Sequence, residues 1–227
     1  MLQTIKKTIG IAALVLTFAT VGTAQNTNRQ FQVSRVAPSV QSQNWEVSQL
    51  VSAAAKYLDQ YWSAAFARGG NRNYRAPMVY RSSQRINNAY YKAADHAIYY
   101  DYYFFSEQMR KHGDFAVVTI MAHEWGHAMQ NILKPRFALT ISKELQADCY
   151  AGAFARNESF TTRLESNDIP KAISSLIEAG DHSSTSIDDR QAHGSWQKRT
   201  LAFRRGFSNG LRGCGDVDIA NVALFTK

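Results

Sequence analysis

Five consecutive residues near the middle of the chain, His123 to His127, have the pattern H-E-x-x-H. On a helix, side chains four positions apart lie about 40° apart around the axis and about 6 Å along it. The rings of His123 and His127 can therefore point at one tetrahedral zinc ion, with N–Zn distances of about 2.0–2.1 Å. Glu124 is turned by roughly 100° from His123. Because of this offset we expect Glu124 to act as a base toward a metal-bound water rather than as a third metal ligand.

A second acidic pair supplies the remaining parts of such a site. A catalytic zinc usually has three protein ligands and one open position, so a third ligand is needed. Glu144 follows His127 by 144 − 127 = 17 residues, which is enough for a helix end, a turn and a return. Asp148 lies one turn further along and can accept the other ring N–H of a ligand histidine. Gly126 and Ala147 would let the two helices approach closely.

The alternative is that the H-E-x-x-H pattern occurs by chance and that both histidines lie on a helix surface without binding a metal. The flanking residues are mostly apolar and predict a buried helix, in which an unpartnered His-Glu-His cluster would be costly. These apolar residues are Val117, Ile120, Met121, Ala122 and Ala128. With the second acidic pair added, zinc binding is the favoured interpretation.

The elements that must position these residues are mainly helical. Apolar residues recur at helical spacing from Trp45 to Arg68, before a Gly-Gly pair. A short helix is expected over 102–111, and Asp114 is the expected N-cap of the metal-binding helix. Further helices are predicted from Thr140 to about Arg156, from Asp168 to a stop at Gly180, and from Ser195 to Arg205 with a stop at Gly206.

Short stretches rich in Tyr, Ile and Val predict a small β component. A strand is expected over 76–82, and a hairpin over 89–91 and 97–100. The expected fold class is therefore α+β, with a mainly helical domain and a small antiparallel β-sheet or hairpin beside the metal-binding helix. The 97–100 strand is a candidate edge for pairing with an extended peptide.

The N-terminus has the features of a signal peptide. Lys6 and Lys7 precede an apolar run over 9–21 and small residues at 22–24. The run is shorter than the roughly 20 residues that span a bilayer, so a cleaved signal is favoured over an anchor. We predict a signal peptide over 1–24, a flexible polar leader over 25–44 and a domain over 45–227. Cleavage would leave 227 − 24 = 203 residues.

These features predict export to the periplasm or the exterior of a bacterium, or membrane anchoring if the segment is not cleaved. The formal net charge is +8, or +8 − 2 = +6 without Lys6 and Lys7. Such a charge fits association with an anionic cell envelope. The basic residues are scattered, however, which favours an ordinary solvated surface. No basic stripe interleaves with aromatics, so we expect no nucleic-acid partner. No oligomeric state is predicted.

Cys149 and Cys214 are the only cysteines. In an exported protein an even count favours a disulfide. Closing a loop of 214 − 149 = 65 residues would stabilise the fold by roughly 2–4 kcal/mol. Thiolate ligands for zinc are less favoured because no C-x-x-C spacing is present, and a buried free thiol at Cys149 is the remaining alternative.

Several runs resemble the putative neutral zinc metallopeptidase family of bacteria. They lie at 121–130, 144–152 and 193–199, with 205–207, and the residues at 88–91, 94–95 and 98–101 match the upstream segment of the family. The resemblance covers roughly 45–214. It implies a zincin-like domain of the gluzincin type, with His123, His127 and Glu144 as zinc ligands and Glu124 as a catalytic residue. The chain departs from the family in lacking an upstream cysteine pair, one partner of which falls where Lys92 stands.

The motifs and the resemblance together predict a zinc metalloendopeptidase that acts on peptides or unfolded proteins. In this hypothesis a metal-activated water attacks the peptide bond and Glu124 is the general base. His193 is the candidate oxyanion stabiliser, because it is the one histidine near the chain end within a matching run. A helix cap or a surface position is the alternative for His193. Its rivals as oxyanion stabiliser are Tyr99, Tyr100, Arg190 and Arg199.

Two other functions remain open at the level of sequence. One is a non-catalytic, zinc-stabilised envelope protein that binds peptides. The intact Glu124 speaks against it, since a structural site needs no base and commonly has four protein ligands. The other is hydrolysis of cell-wall peptide bridges, which the basic charge and the expected export would suit.

Overall fold

Helices make up most of the computed structural model, which describes residues 40–137, 139–160, 164, 166–178 and 193–215. The expected fold class, a mainly helical α+β domain, is confirmed. The helices are α1 (Val40–Arg68), α2 (Tyr102–His112), α3 (Asp114–Leu133), α4 (Thr140–Phe160), α5 (Asp168–Glu178) and α6 (Trp196–Asn209), followed by a 3-10 helix (Gly210–Cys214).

The predicted N-terminal segments lie almost entirely outside the described residues. The signal peptide over 1–24 is outside them, and so is the leader over 25–44 except for its last five residues, which belong to α1. The first helix therefore begins at Val40 rather than at Trp45. Within the described part of the chain, no helix combines the length and the apolar character needed to cross a membrane.

A three-stranded sheet lies beside the helices. Its strands are β1 (Met78–Arg81), β2 (Ala89–Lys92) and β3 (Ala97–Tyr100), in the order β1-β3-β2. The predicted hairpin is present, since β2 and β3 pair antiparallel. The expectation of a purely antiparallel sheet is wrong, because β1 pairs parallel to β3. The sheet is therefore mixed.

Asp101 explains the position of β1. This buried carboxylate follows β3 and accepts hydrogen bonds from the N–H groups of Ile86 (2.7 Å) and Asn87 (2.8 Å) in the loop after β1. The loop is thus held across the end of β3, and β2 returns on the far side. As a result β3 is the central strand, and the prediction that 97–100 forms an edge for a peptide is wrong. Among the described strands, β1 and β2 have the free edges.

The H-E-x-x-H motif lies on a deeply buried part of α3. Every residue of α3 from Met121 to Gln130 is buried, and the helix packs against α1, α2, α4, α5 and the sheet. Trp125, one of the largest fully buried side chains, faces the core within the motif itself. The predicted N-cap is wrong by one residue: Gly113 precedes the helix at φ +85°, and Asp114 is the first helical residue.

Two glycines bring α4 and α6 into backbone contact. A Cβ atom at Gly152 would lie 1.9 Å from the carbonyl oxygen of Phe203, and one at Gly206 would lie 1.9 Å from that of Cys149. The prediction that the last helix ends at Gly206 is wrong, because α6 continues to Asn209. Glycine is unfavourable inside a helix by about 1 kcal/mol relative to alanine. Here the close contact between the helices explains why it is present.

The expected disulfide joins Cys149 to Cys214, with an S–S distance of 2.05 Å. Both cysteines are fully buried. The bond ties the middle of α4 to the 3-10 helix that follows α6. It therefore closes the same helix pair that the two glycines bring together.

Replacing Gly206 with alanine should lower the free energy of unfolding by about 3 kcal/mol, because the added methyl group meets backbone that cannot move aside. Urea unfolding of the purified protein measures this change. Gly215→Ala is the matched control, since nothing lies within 4 Å of a Cβ there and its φ is −65°. Equal stabilities for the two variants would contradict the contact.

Candidate metal centre

Three side chains from two helices converge on one point. His123 and His127 come from α3 and Glu144 from α4, and one ligand atom of each lies within 4.8 Å of the other two. The Nε2 atoms of His123 and His127 lie 3.3 and 3.4 Å from Oε2 of Glu144. All three side chains are at most a tenth exposed. This cluster could hold a metal ion.

The close approach of α3 and α4 makes this convergence possible. A Cβ atom at Gly126 would lie 3.1 Å from Cα of Ala147, which is tighter than nearly all real contacts. Gly126 lies within the motif and Ala147 lies between Glu144 and Asp148. The expected close packing at these two small residues is therefore present. It brings the short carboxylate side chains of α4 within reach of the histidine rings.

The outer nitrogen of each histidine faces a hydrogen-bond acceptor. Nδ1 of His123 lies 2.8 Å from Oδ1 of Asp148, and Nδ1 of His127 lies 2.8 Å from Oε1 of Gln130. Each Nδ1 must then carry the proton, and in the neutral ring each Nε2 presents a lone pair. Those lone pairs face the carboxylate of Glu144. Three acceptors directed at one point repel one another unless a cation or a proton lies between them.

Gln130 was not identified from the sequence. Its Nε2 donates to the backbone oxygen of Lys143 (2.8 Å) and to Oε1 of Gln146 (3.2 Å), which fixes its amide with Oε1 toward His127. Gln146 in turn donates from Nε2 to the backbone oxygen of Cys214 at 3.0 Å. The signal available in the sequence was the spacing of three between His127 and Gln130, which places both on one helix face.

Asp148 is fully buried and joins the cluster to α6. Its two oxygens accept from Nε (2.8 Å) and Nη2 (2.9 Å) of Arg199, in addition to the bond with His123. Burial raises the pKa of Asp148, but the Arg199 guanidinium and then His123 outweigh burial and lower it below its usual value. The carboxylate therefore stays ionised. Because Arg199 already pairs with Asp148, it is better suited to positioning that carboxylate than to stabilising an oxyanion.

The charges of the buried described side chains at this site do not balance. Glu124, Glu144 and Asp148 contribute three negative charges and Arg199 one positive charge, so with neutral histidines the sum is 1 − 3 = −2; all four are less than a tenth exposed. Burying uncompensated charge is costly. A divalent cation at the cluster would neutralise the group, so the residues present fit a zinc ion in both charge and ligand type.

Without a cation, protonation of His123 compensates part of this negative charge. Burial lowers the pKa of His123, but the Asp148 carboxylate outweighs it and raises that pKa to about 10. The ring is then an imidazolium that can face Glu144. Metal binding must displace such a proton from Nε2 and is for that reason pH-dependent.

Glu124 lies beside the cluster without joining it. Its Oε2 accepts a hydrogen bond from the backbone N–H of Tyr91 at 2.8 Å, so the carboxylate is held against the edge strand β2. This placement agrees with the offset expected from helix geometry. It leaves Glu124 next to the space that the ligand atoms face.

A cleft of about 560 Å³ opens over the cluster, and Glu124 lines it together with the three clustered side chains. Residues from β2, α2, α3 and α5 form its walls. His193 lies at the cleft with its side chain 57% exposed and its Nδ1 3.4 Å from Oε2 of Glu144.

The other predicted oxyanion stabilisers are placed differently. The hydroxyl of Tyr99 donates to Asp95, and Tyr100 stacks on Phe105 in the core, so neither lines the cleft. Arg190 lies outside the described residues. His193 is therefore the better placed of the described candidates, because Arg199 is held by Asp148.

The chain is similar to proteins of a zinc metallopeptidase family. A family model described as "Putative neutral zinc metallopeptidase" matches residues 1–216. The chain is 27% identical over 222 residues to "Uncharacterized protein YpfJ" of Escherichia coli K12, covering 83% of this chain and 76% of that protein. It is 28% identical over 151 residues to "Uncharacterized protein Rv2575" of Mycobacterium tuberculosis H37Rv, covering 53% and 52%. No solved structure matches the chain significantly.

Replacing Gln130 with leucine removes the acceptor for the His127 ring N–H. We expect the affinity for zinc to fall by about 10- to 100-fold, since such supporting bonds orient the ligand ring. Competition with a chromophoric chelator measures the affinity. Gln197→Leu on the exposed face of α6 is the control. An unchanged affinity in a folded Gln130→Leu protein would refute this role.

Acid should destabilise the metal-free protein through Asp148 and Glu144. For Glu144, burial raises the pKa, but hydrogen bonds from His123, His127 and His193 lower it below the usual range. A carboxylate whose pKa is lower when folded adds stability above its unfolded pKa of about 4 and loses it as pH falls further. Urea unfolding from pH 6 to pH 3 should show this loss. A flat profile below pH 5 would contradict it.

Proposed function

The chain belongs to the family described as "Putative neutral zinc metallopeptidase", and on this basis we propose that it is a zinc-dependent endopeptidase. The observation that carries the proposal is the convergence of two histidine nitrogens and one carboxylate, with Glu124 beside them and an excess of two buried negative charges. A structural site would need neither an adjacent carboxylate nor an open cleft.

His123 and His127 would hold the zinc ion through Nε2, and Glu144 through its carboxylate. Asp148 and Gln130 hold the two rings in the orientation that this requires. When bound, zinc would lower the pKa of a water molecule toward about 7 and polarise the carbonyl of the peptide bond. The remaining chemistry belongs to the side chains of the protein.

Glu124 would act as the general base and then as the general acid. Its carboxylate accepts a proton from the attacking water and delivers it to the nitrogen of the departing amine. The N–H of Tyr91 holds Oε2 at 2.8 Å, so the carboxylate does not have to be ordered during the reaction. His193 would donate a hydrogen bond to the carbonyl oxygen of the substrate as that oxygen becomes negatively charged.

The substrate would be an extended peptide or an unfolded protein. The strand β2 lines the cleft and is an edge strand among the described strands, so it replaces 97–100 as the candidate for pairing with substrate backbone. The N–H of Tyr91 already donates to Glu124, so a substrate chain would pair with the other backbone groups of this edge and lie beside Glu124.

We also propose export, with the chain acting in the periplasm or outside a bacterial cell. The support is the basic, apolar and small-residue sequence of 1–24, together with the disulfide between Cys149 and Cys214. The excess of basic residues would favour contact with the anionic envelope.

Replacing Glu124 with glutamine should leave zinc bound and slow hydrolysis by about 10²- to 10⁴-fold, the usual contribution of a positioned base. The assay is cleavage of an unfolded protein by purified enzyme, with metal content measured in parallel. Glu107→Gln, a change at an exposed carboxylate on α2, is the control. A chelator should stop the wild-type reaction and added zinc should restore it.

Two results would overturn parts of this proposal. Full turnover by Glu124→Gln would exclude Glu124 as the base. A wild-type protein that binds zinc and peptides yet cleaves nothing would instead favour the non-catalytic, zinc-stabilised envelope protein.

A further inference from the structure

The residues of α2, α3 and α5 that line the cleft define one region of it, called a recess here. Its apolar lining residues are Phe104, Ile120 and Leu176. Ile120 precedes His123 by three residues, so the recess adjoins the ligand helix one turn before the motif. A substrate residue near the reacting bond would therefore place its side chain here.

An amide that is accessible only from the cleft lines this recess. Gln108 on α2 is 5% exposed, and its side chain forms no hydrogen bond with another described residue. Its amide is not among the fully enclosed polar atoms that lack a partner, so it can be reached from the cleft. The other two buried polar side chains of the recess have used their donors. The hydroxyl of Thr119 donates to the backbone oxygen of Phe115, and that of Ser175 to the backbone oxygen of Ala172, both at 2.8 Å.

The amide of Gln108 can exchange its bonds with water for bonds with a ligand, because no described side chain or backbone group occupies it. It has two donors and an acceptor. A ligand group that fills the recess displaces that water, and an unpaired amide is then costly unless the ligand also donates and accepts. The amide beside these apolar side chains is thus a recognition group.

We propose that this recess, named here the Gln108 recess and formed by Phe104, Gln108, Thr119, Ile120, Ser175 and Leu176, is a specificity subsite for a carboxamide side chain of the substrate. Glutamine fits best. Its two methylenes lie against the apolar walls, and its amide forms two complementary hydrogen bonds with Gln108. The inference rests on the proposed peptidase function and adds its sequence preference.

The charge at the recess argues against ionised side chains. Glu178 lines the outer part of the cleft, and its carboxylate already pairs with Lys111 (2.9 Å) and with His112. A substrate carboxylate would meet this negative charge, and a substrate ammonium would have to compete with two existing partners. A purely apolar side chain would leave Gln108 unpaired. Only a neutral side chain with both a donor and an acceptor avoids all three penalties.

Cleavage of a denatured protein mixture, read by mass spectrometry, tests the subsite. We expect glutamine to be enriched at one fixed position beside the cleaved bond. In matched peptides that differ only there, glutamine should exceed methionine about tenfold in kcat/KM, the value of a hydrogen bond that would otherwise be lost. Gln108→Leu should reverse this order. Gln60→Leu, the same change on the exposed face of α1, should leave it unaltered.

Gln108→Leu is expected to fold, because it replaces an amide that bonds no other described residue with an apolar side chain of similar size. Its melting temperature should not fall below that of the wild type. A clear drop, with no change in peptide preference, would show that Gln108 has a structural role and would overturn the inference.

Peptide binding separates this inference from the proposed function. Zinc-loaded Glu124→Gln protein should bind the glutamine peptide about tenfold more tightly than the methionine peptide, and the added Gln108→Leu change should abolish the difference. If binding discriminates but the wild type cleaves nothing, the peptidase proposal fails and the recess stands. If cleavage occurs without any preference that depends on Gln108, the recess fails and the peptidase proposal stands.

Discussion

The structure depends on one buried carboxylate that binds groups on two other helices. Asp148 on α4 accepts from His123 on α3 and from Arg199 on α6, and it has no exposed surface. Removing either partner would leave a buried charge without compensation, which is far more costly than losing a surface ion pair. The relative positions of three helices are therefore tied to the orientation of one ring at the metal centre.

Small residues make this arrangement possible. Gly126 and Ala147 let α3 approach α4, and Gly152 and Gly206 let α6 approach it on another side. Asp148 has a short side chain and can serve both neighbours only because both helices are so close. Packing thus determines the electrostatics of the site, and the net charge that results determines the kind of ion that fits it.

The ligand cluster was predictable because it depends on local periodicity. The spacing of His123 and His127 and the later Glu144 are fixed by helix geometry once each helix is recognised. Tertiary contacts were harder to predict. Gln130 was missed because a glutamine has no single signature. Arg199 was considered only as an oxyanion stabiliser, because its partner, Asp148, lies on another helix.

The same limit applies to the fold. The hairpin of β2 and β3 follows from local sequence, whereas the parallel pairing of β1 depends on the capture of a loop by Asp101. Gly206 has the character of a helix stop in sequence. Its role in the structure is visible only beside α4, where backbone meets backbone. In both cases a distant residue decides between two locally reasonable structures.

The far end of the described chain has a consequence for the metal centre. The backbone oxygen of Cys214 anchors Gln146, which bonds Gln130, which bonds the ring of His127. The covalent link to Cys149 holds the residue that carries this oxygen against α4. A protein truncated before Cys214 would therefore lose the hydrogen bond that holds Gln146. The series of hydrogen bonds that orients the His127 ring would then have no fixed end.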